Sequence, residues 1–150
     1  MFKTIIWATD GSEAAERALP IALDLTAQVN GMLLVVHADE RFGGRASGVP
    51  VIADEDDVEA ELAAKVNELV ESGVNASFHV VRGTGKDPAD LIADVAKEGW
   101  ADLIVVGTRG HGRVAGVLHG SVAQRLLHVA PCPILAVPAR VAVPREVGAS

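Results

Sequence analysis

Five short apolar runs alternate along the chain with stretches in which apolar residues recur every three or four positions. The runs are Lys3–Thr9 (KTIIWAT), Met32–His37 (MLLVVH), Ala76–Val81 (ASFHVV), Ala101–Val106 (ADLIVV) and Pro133–Pro138 (PILAVP). Each reads as a short strand; Lys3–Thr9 is rich in β-branched residues, and Met32–His37 is uniform enough for a parallel sheet covered on both faces. Between them the three- and four-residue spacing predicts helices. Ser12 reads as an N-cap, Glu13 and Glu16 suit the positive end of the helix dipole, and Ala18, Leu19, Ala22, Leu23 and Leu25 continue the apolar face toward a stop at Asn30 and Gly31. Val58, Leu62, Val66, Leu69 and Val70 predict a second helix ending at Ser72–Gly73, after a polar, Gly-containing insertion from Arg41 to Asp57. Asp87 and Pro88 read as N-cap and first position of a third helix carrying Leu91, Ile92, Val95 and Ala96. Ser121 is expected to cap a fourth, with Val122, Leu126 and Leu127.

Strands alternating with helices imply right-handed βαβ units, and so a doubly wound α/β domain: a five-stranded parallel sheet with helices on both faces. The 150 residues suit one such domain, with an ordered core to about residue 139 and a loose tail over 140–150. Ligands of such sheets sit beyond the carboxyl ends of the strands, where the strand order reverses. Asp10, Ala38 and Gly107 all fall at predicted strand ends, so three separated parts of the chain are expected to meet at one crevice.

Composition and charge narrow the classes. With 49% hydrophobic residues, 22% charged and a mean hydropathy of +0.30, the chain is too apolar for disorder, and it has no apolar run long enough to span a bilayer. The N-terminus lacks the composition of a signal peptide, so a cytoplasmic location is expected. The lone Cys132 excludes an internal disulfide and is expected to be a buried thiol. A net charge of −7 argues against nucleic-acid or membrane partners. The distribution says more: from Leu103 through Arg140 there is no Asp or Glu, whereas Arg109, His111, Arg113, His119, Arg125 and His128 all lie there. An anionic ligand would favour that segment.

Inside it lies GTRGHGRVAGVLHGS, which places Gly107, Gly110, Gly112, Gly116 and Gly120 between a predicted strand and a helix opening at Ser121. Glycines let backbone approach a phosphate closely, and free N–H groups at a helix N-terminus bind its oxygens. A merely flexible surface loop is the alternative, weakened by the strand context, the missing acids and the two arginines. Other motifs carry less. Gly83-Thr84-Gly85-Lys86 ends like a phosphate loop, but Asp87 stands where Ser or Thr is needed, and the segment reads as the turn into the third helix. His37 and His79 lie in apolar strands and read as satisfied core imidazoles. No histidine spacing marks a metal site.

Gly107, Gly110, Gly120 and Ser121 form G-x2-G-x9-G-S, which resembles the nucleotide-binding branch of the universal stress protein family. The likeness extends from Asp10-Gly11-Ser12 through His37-Ala38-Asp39 to PILAVP. It implies a Rossmann-like domain of the adenine nucleotide alpha hydrolase type, ATP at the strand ends with Mg²⁺ or Mn²⁺ held by the phosphates, a homodimer, and regulation of the stress response rather than metabolic catalysis. Carried over, Asp10 would bond the ribose and the Ala38 backbone the adenine edge. Gly107 would lie near the ribose and Gly110 near the first phosphates. Gly120, Ser121 and Val122 would offer N–H groups and a hydroxyl to the phosphate chain. Arg109 would add charge, although the resemblance does not fix it. Asp10 has a second reading as a turn residue capping the first helix. No catalytic constellation can be placed, so at most slow ATP hydrolysis or self-phosphorylation at Ser121 is expected. A slow ATPase and a nucleotide-free dimeric scaffold are the alternatives. The Pro133–Pro138 strand is the expected seam between two copies.

Overall fold

Ile5, Ile6, Trp7 and Ala8 leave the first strand without a polar face, so both of its sides must be covered, and both are. The computed structural model describes residues 2–39, 55–83, 85–108 and 121–138, with the backbone alone at Ser121. Arg109, Gly110, Gly112, Gly116 and Gly120, most of the 41–57 insertion and the tail from Ala139 lie outside the described residues.

The elements follow in the order β1 (Thr4–Ala8), α1 (Glu13–Val29), β2 (Met32–Ala38), α2 (Glu55–Glu71), β3 (Ala76–Val81), α3 (Pro88–Glu98), β4 (Leu103–Gly107), α4 (Ser121–Val129) and β5 (Ile134–Val137). The strands form one five-stranded sheet ordered β3-β2-β1-β4-β5, parallel at every pairing. Its order reverses between β1 and β4.

Strand alternation sends Ile5, Trp7, Leu33, Val35, Leu103 and Val105 to one face, under Ala18, Leu19 and Ala22 of α1 and Leu62 and Val66 of α2. Ile6, Leu34, Val36, Ile104 and Val106 face the other, under Ala89, Ile92, Ala93 and Ala96 of α3 and Ala123 and Leu126 of α4. Each fully buried Ile, Leu or Val contributes about 1.5–3 kcal/mol, so most of the stability resides in these two layers.

The expected caps form. Ser12 Oγ accepts the Ala15 N–H at 3.2 Å, Asp87 Oδ1 accepts the Ala89 N–H at 2.9 Å, and α1 stops at Asn30 in the left-handed region, φ 50°. Several expectations are corrected. The second helix starts at Glu55, not Val58: an acidic first turn of Glu55, Asp56 and Asp57 reads in sequence as loop, yet suits the helix dipole. The fourth strand begins at Leu103, because Asp102 turns aside to accept the backbone N–H groups of Lys3 and Thr4 at 2.8 and 2.9 Å. Ser121 is the first residue of α4 rather than the residue before it. His79 is exposed, not in the core, since β3 is an edge strand; its Nε2 lies 3.3 Å from Ser77 Oγ. Cys132 is half-buried. Among the described residues no helix is long and apolar enough to cross a membrane.

Candidate functional site

The crevice lies where β1 and β4, neighbours in the sheet, send their chains to opposite faces. β1 leads into α1 through Thr9–Ser12. Gly11 turns there at φ +81°, a left-handed conformation costly for any side chain, and donates its N–H to Thr9 Oγ1 at 3.1 Å. Asp10 Oδ1 accepts the Ser12 N–H at 2.9 Å. Asp10 thus holds the turn, and Ser12 is the helix cap. The half-buried Asp10 stands two residues beyond the carboxyl end of β1, at the reversal of strand order.

Across the crevice, Gly107 ends β4, and Thr108 N–H bonds to Val137 O at 3.0 Å. The first turn of α1 lies hard against this strand end. The fully buried Trp7 donates its indole N–H to Ala15 O at 2.9 Å, and a Cβ on Gly107 would come within 2.6 Å of Ala14 O. Gly107 therefore has a packing reason to be glycine, apart from any ligand.

Ala38 supplies a third strand end. Asp39 N–H bonds to Val81 O at 2.9 Å, so the alternation of a parallel ladder turns the N–H and C=O of Ala38 itself toward the β1 side. The Thr9 N–H bonds to Val36 O at 3.0 Å, and one residue later the chain leaves the sheet. A donor and an acceptor on one residue thus point past the end of β1, as a planar base edge would need. Ser121 and Val122 open α4, whose N-terminus closes the G-x2-G-x9-G-S segment. The Val122 side chain packs into the core below, leaving its backbone as the group a ligand would meet. Asp10, Ala38 and Gly107 therefore do come together at one sheet edge, with Ser121 and Val122 at the head of the helix that follows. The arrangement suits a nucleoside at the strand ends.

A polar network beside Ala38 was not legible in the sequence. His37 Nδ1 donates to Thr9 O at 2.8 Å, and its Nε2 meets Glu55 Oε2 at 2.7 Å. Arg82 donates to Asp39 Oδ2 at 3.2 Å and to both oxygens of Glu59 at 2.7 and 2.9 Å. Carboxylate oxygens of Asp39, Glu55 and Glu59 lie within 4.8 Å of one another, a spacing that suits a cation; here the Arg82 guanidinium and the His37 ring meet those charges. The one sequence signal was a histidine inside an apolar strand.

The Universal stress protein family model matches residues 1–138. The chain belongs to the universal stress protein family. Like it is a universal stress protein of Thermus aquaticus, 38% identical over 146 residues that cover 91% of this chain and 99% of that one. Two solved family structures superimpose on the domain. One, a universal stress protein in complex with cAMP, is 25% identical with a TM-score of 0.66, covering 93% of this chain and 99% of that one. The other, from Archaeoglobus fulgidus in complex with dAMP, is 29% identical with a TM-score of 0.63, covering 91% and 97%. The five-stranded doubly wound sheet is thus the fold of the universal stress proteins, and the crevice lies at its topological switch point.

Proposed function

We propose that this universal stress protein binds ATP at the β1–β4 switch point and acts as a nucleotide-dependent regulator rather than an enzyme. One observation carries the reading: the intact G-x2-G-x9-G-S segment starts on the last residue of β4 and ends on the first of α4, beside Asp10 and the buried Ala38, whose N–H and C=O face the β1 side. The adenine nucleotides bound by the two related structures support it. In this reading Asp10 meets the ribose and Ala38 the base, with Gly107 beside the sugar. Gly110, Gly120, Ser121 and Val122 hold the phosphates with help from Arg109. Mg²⁺ or Mn²⁺ would travel with the phosphates and water. Fast phosphoryl transfer needs metal-binding acids and a positioned base, and the sequence from Gly107 to Ser121 carries no acid.

The same proposal includes a cytoplasmic homodimer. β5 is an edge strand, paired on one side to β4, and its other side suits a second copy. Light scattering at micromolar concentration is expected to give twice the chain mass.

Thermal unfolding with and without millimolar MgATP tests the ligand. At about a hundred times the dissociation constant, ATP is expected to stabilise the parent by roughly 2.7 kcal/mol and raise its midpoint by about 5–10 °C. Gly120→Val, which obstructs close phosphate approach, is expected to abolish the shift. No shift in parent protein free of copurified nucleotide overturns the reading and leaves a nucleotide-free scaffold.

A further inference from the structure

His37 is wholly buried, yet both of its ring nitrogens are engaged. A carbonyl can only accept, so Nδ1 carries a hydrogen and donates it to Thr9 O. The contact between Nε2 and Glu55 Oε2 then holds one proton, whichever atom bears it. The His37 and Glu55 side chains are 1% and 3% exposed, so water does not substitute for either partner. The pair fastens three pieces of chain together: the end of β1, the end of β2 and the first residue of α2.

The ladder gives this arrangement a consequence. After the bond from Thr9 N–H to Val36 O, the next rung of a parallel pair would run from Ala38 N–H to Thr9 O. The His37 ring engages that carbonyl, and the backbone rung from Ala38 N–H to it does not form. We propose that His37, held by Glu55, is a positioning residue for base recognition: by engaging Thr9 O it reserves the Ala38 N–H for the ring edge of a 6-aminopurine. The inference rests on the adenine-nucleotide reading above. Adenine presents an acceptor at N1 beside a donor at its 6-amino group, which match the N–H and C=O of Ala38. Hypoxanthine presents N1–H and a 6-oxo group, setting donor against donor and acceptor against acceptor. A buried polar group left unpaired by the wrong base is an effective source of discrimination.

The 150-residue chain titrated calorimetrically with ATP and with inosine triphosphate tests this. The parent is expected to prefer ATP by at least about tenfold. In His37→Phe/Glu55→Leu the buried pair is replaced together, so neither group is left alone. Thr9 O is then free to accept from Ala38 N–H. In this variant ATP affinity is expected to fall about tenfold while inosine triphosphate changes less than about twofold, in protein shown folded by circular dichroism. Glu55→Gln, whose amide can donate to Nε2 and leave Nδ1 on Thr9, is expected to keep the parent's preference. Hydrogen exchange on the parent gives a variant-free check: the Ala38 amide is expected to exchange quickly without nucleotide and to be protected by ATP.

A double variant that still prefers ATP as the parent does overturns the proposal. So does a folded Glu55→Gln protein that loses the preference, or an Ala38 amide already protected without nucleotide. A parent that binds both nucleotides equally overturns the positioning role alone. A parent that binds neither overturns the adenine-nucleotide reading, and the positioning role with it.

Discussion

A Cβ on Gly107 would stand 2.6 Å from the carbonyl oxygen of Ala14, closer than a carbon and an oxygen can approach. The end of β4 and the first turn of α1 thus touch through backbone, with the Trp7 indole bonded to the next carbonyl along. Gly107→Ala must push α1 off the sheet. Overpacking of this kind costs about 2–3 kcal/mol and is expected to lower the thermal midpoint by about 4–10 °C, read by circular dichroism without nucleotide.

Gly11 and Gly85 separate conformational strain from collision. Both have positive φ, +81° and +78°, but a Cβ on Gly11 would lie 2.9 Å from Val58 Cγ1, while one on Gly85 meets nothing within 4 Å. Gly85→Ala is expected to cost about 1 kcal/mol, the left-handed penalty alone. Gly11→Ala should cost about 1 kcal/mol more, because α2 must give way. Urea midpoints of the two variants measure the difference.

The His37–Glu55 pair should behave as a unit. Glu55→Leu or His37→Phe alone leaves a buried polar partner and is expected to cost about 3–5 kcal/mol. The double substitution should cost less than the sum of the two by at least about 2 kcal/mol, in a double-mutant cycle read from urea unfolding.

Asp102 gives acid sensitivity to the amino edge of the sheet. Backbone N–H groups of Thr4 and Lys3 hold its carboxyl below the ordinary aspartate value. A depressed folded value means that the ionised form is favoured by folding. The stabilisation is present above the ordinary value near about pH 4 and is lost as pH falls through the lower, folded value. Parent protein is therefore expected to be more stable than Asp102→Asn at pH 7, with the gap closing under acid below about pH 4. Thermal midpoints of both proteins across that range check it.

Cys132 should be a slow thiol. Burial pushes its pKa up, and the charge of Asp102 adds to the effect. Iodoacetamide at pH 7.5 is expected to alkylate it at least about tenfold more slowly in the folded protein than in urea, where the reactive thiolate is exposed.

The strands and most helix ends were legible because they rest on local rules. A strand covered on both faces must be apolar throughout, so Ile5–Ala8 and Leu33–Val36 declare themselves, and Asp87-Pro88 or Asn30-Gly31 mark helix ends through their own backbone preferences. Asp10, Ala38 and Gly107 could be placed at one sheet edge because parallel strands put all their carboxyl ends together. Other features depended on which elements become neighbours. His37 and His79 sit in similar apolar runs, yet one is sealed at the β1–β2 junction and the other exposed on edge strand β3, a difference set by strand order. Glu55 looks like loop until its helix brings it against His37, 18 residues earlier in the chain. Gly107 reads as a ligand contact, and only the tertiary structure adds the α1 backbone to what it must accommodate. Sequence alone determined the order of the elements, the caps at Ser12 and Asp87 and the shared strand ends, since periodicity and capping act over a few residues. Which buried polar groups become partners was decided by tertiary structure, because those bonds join segments that meet only when the sheet is assembled.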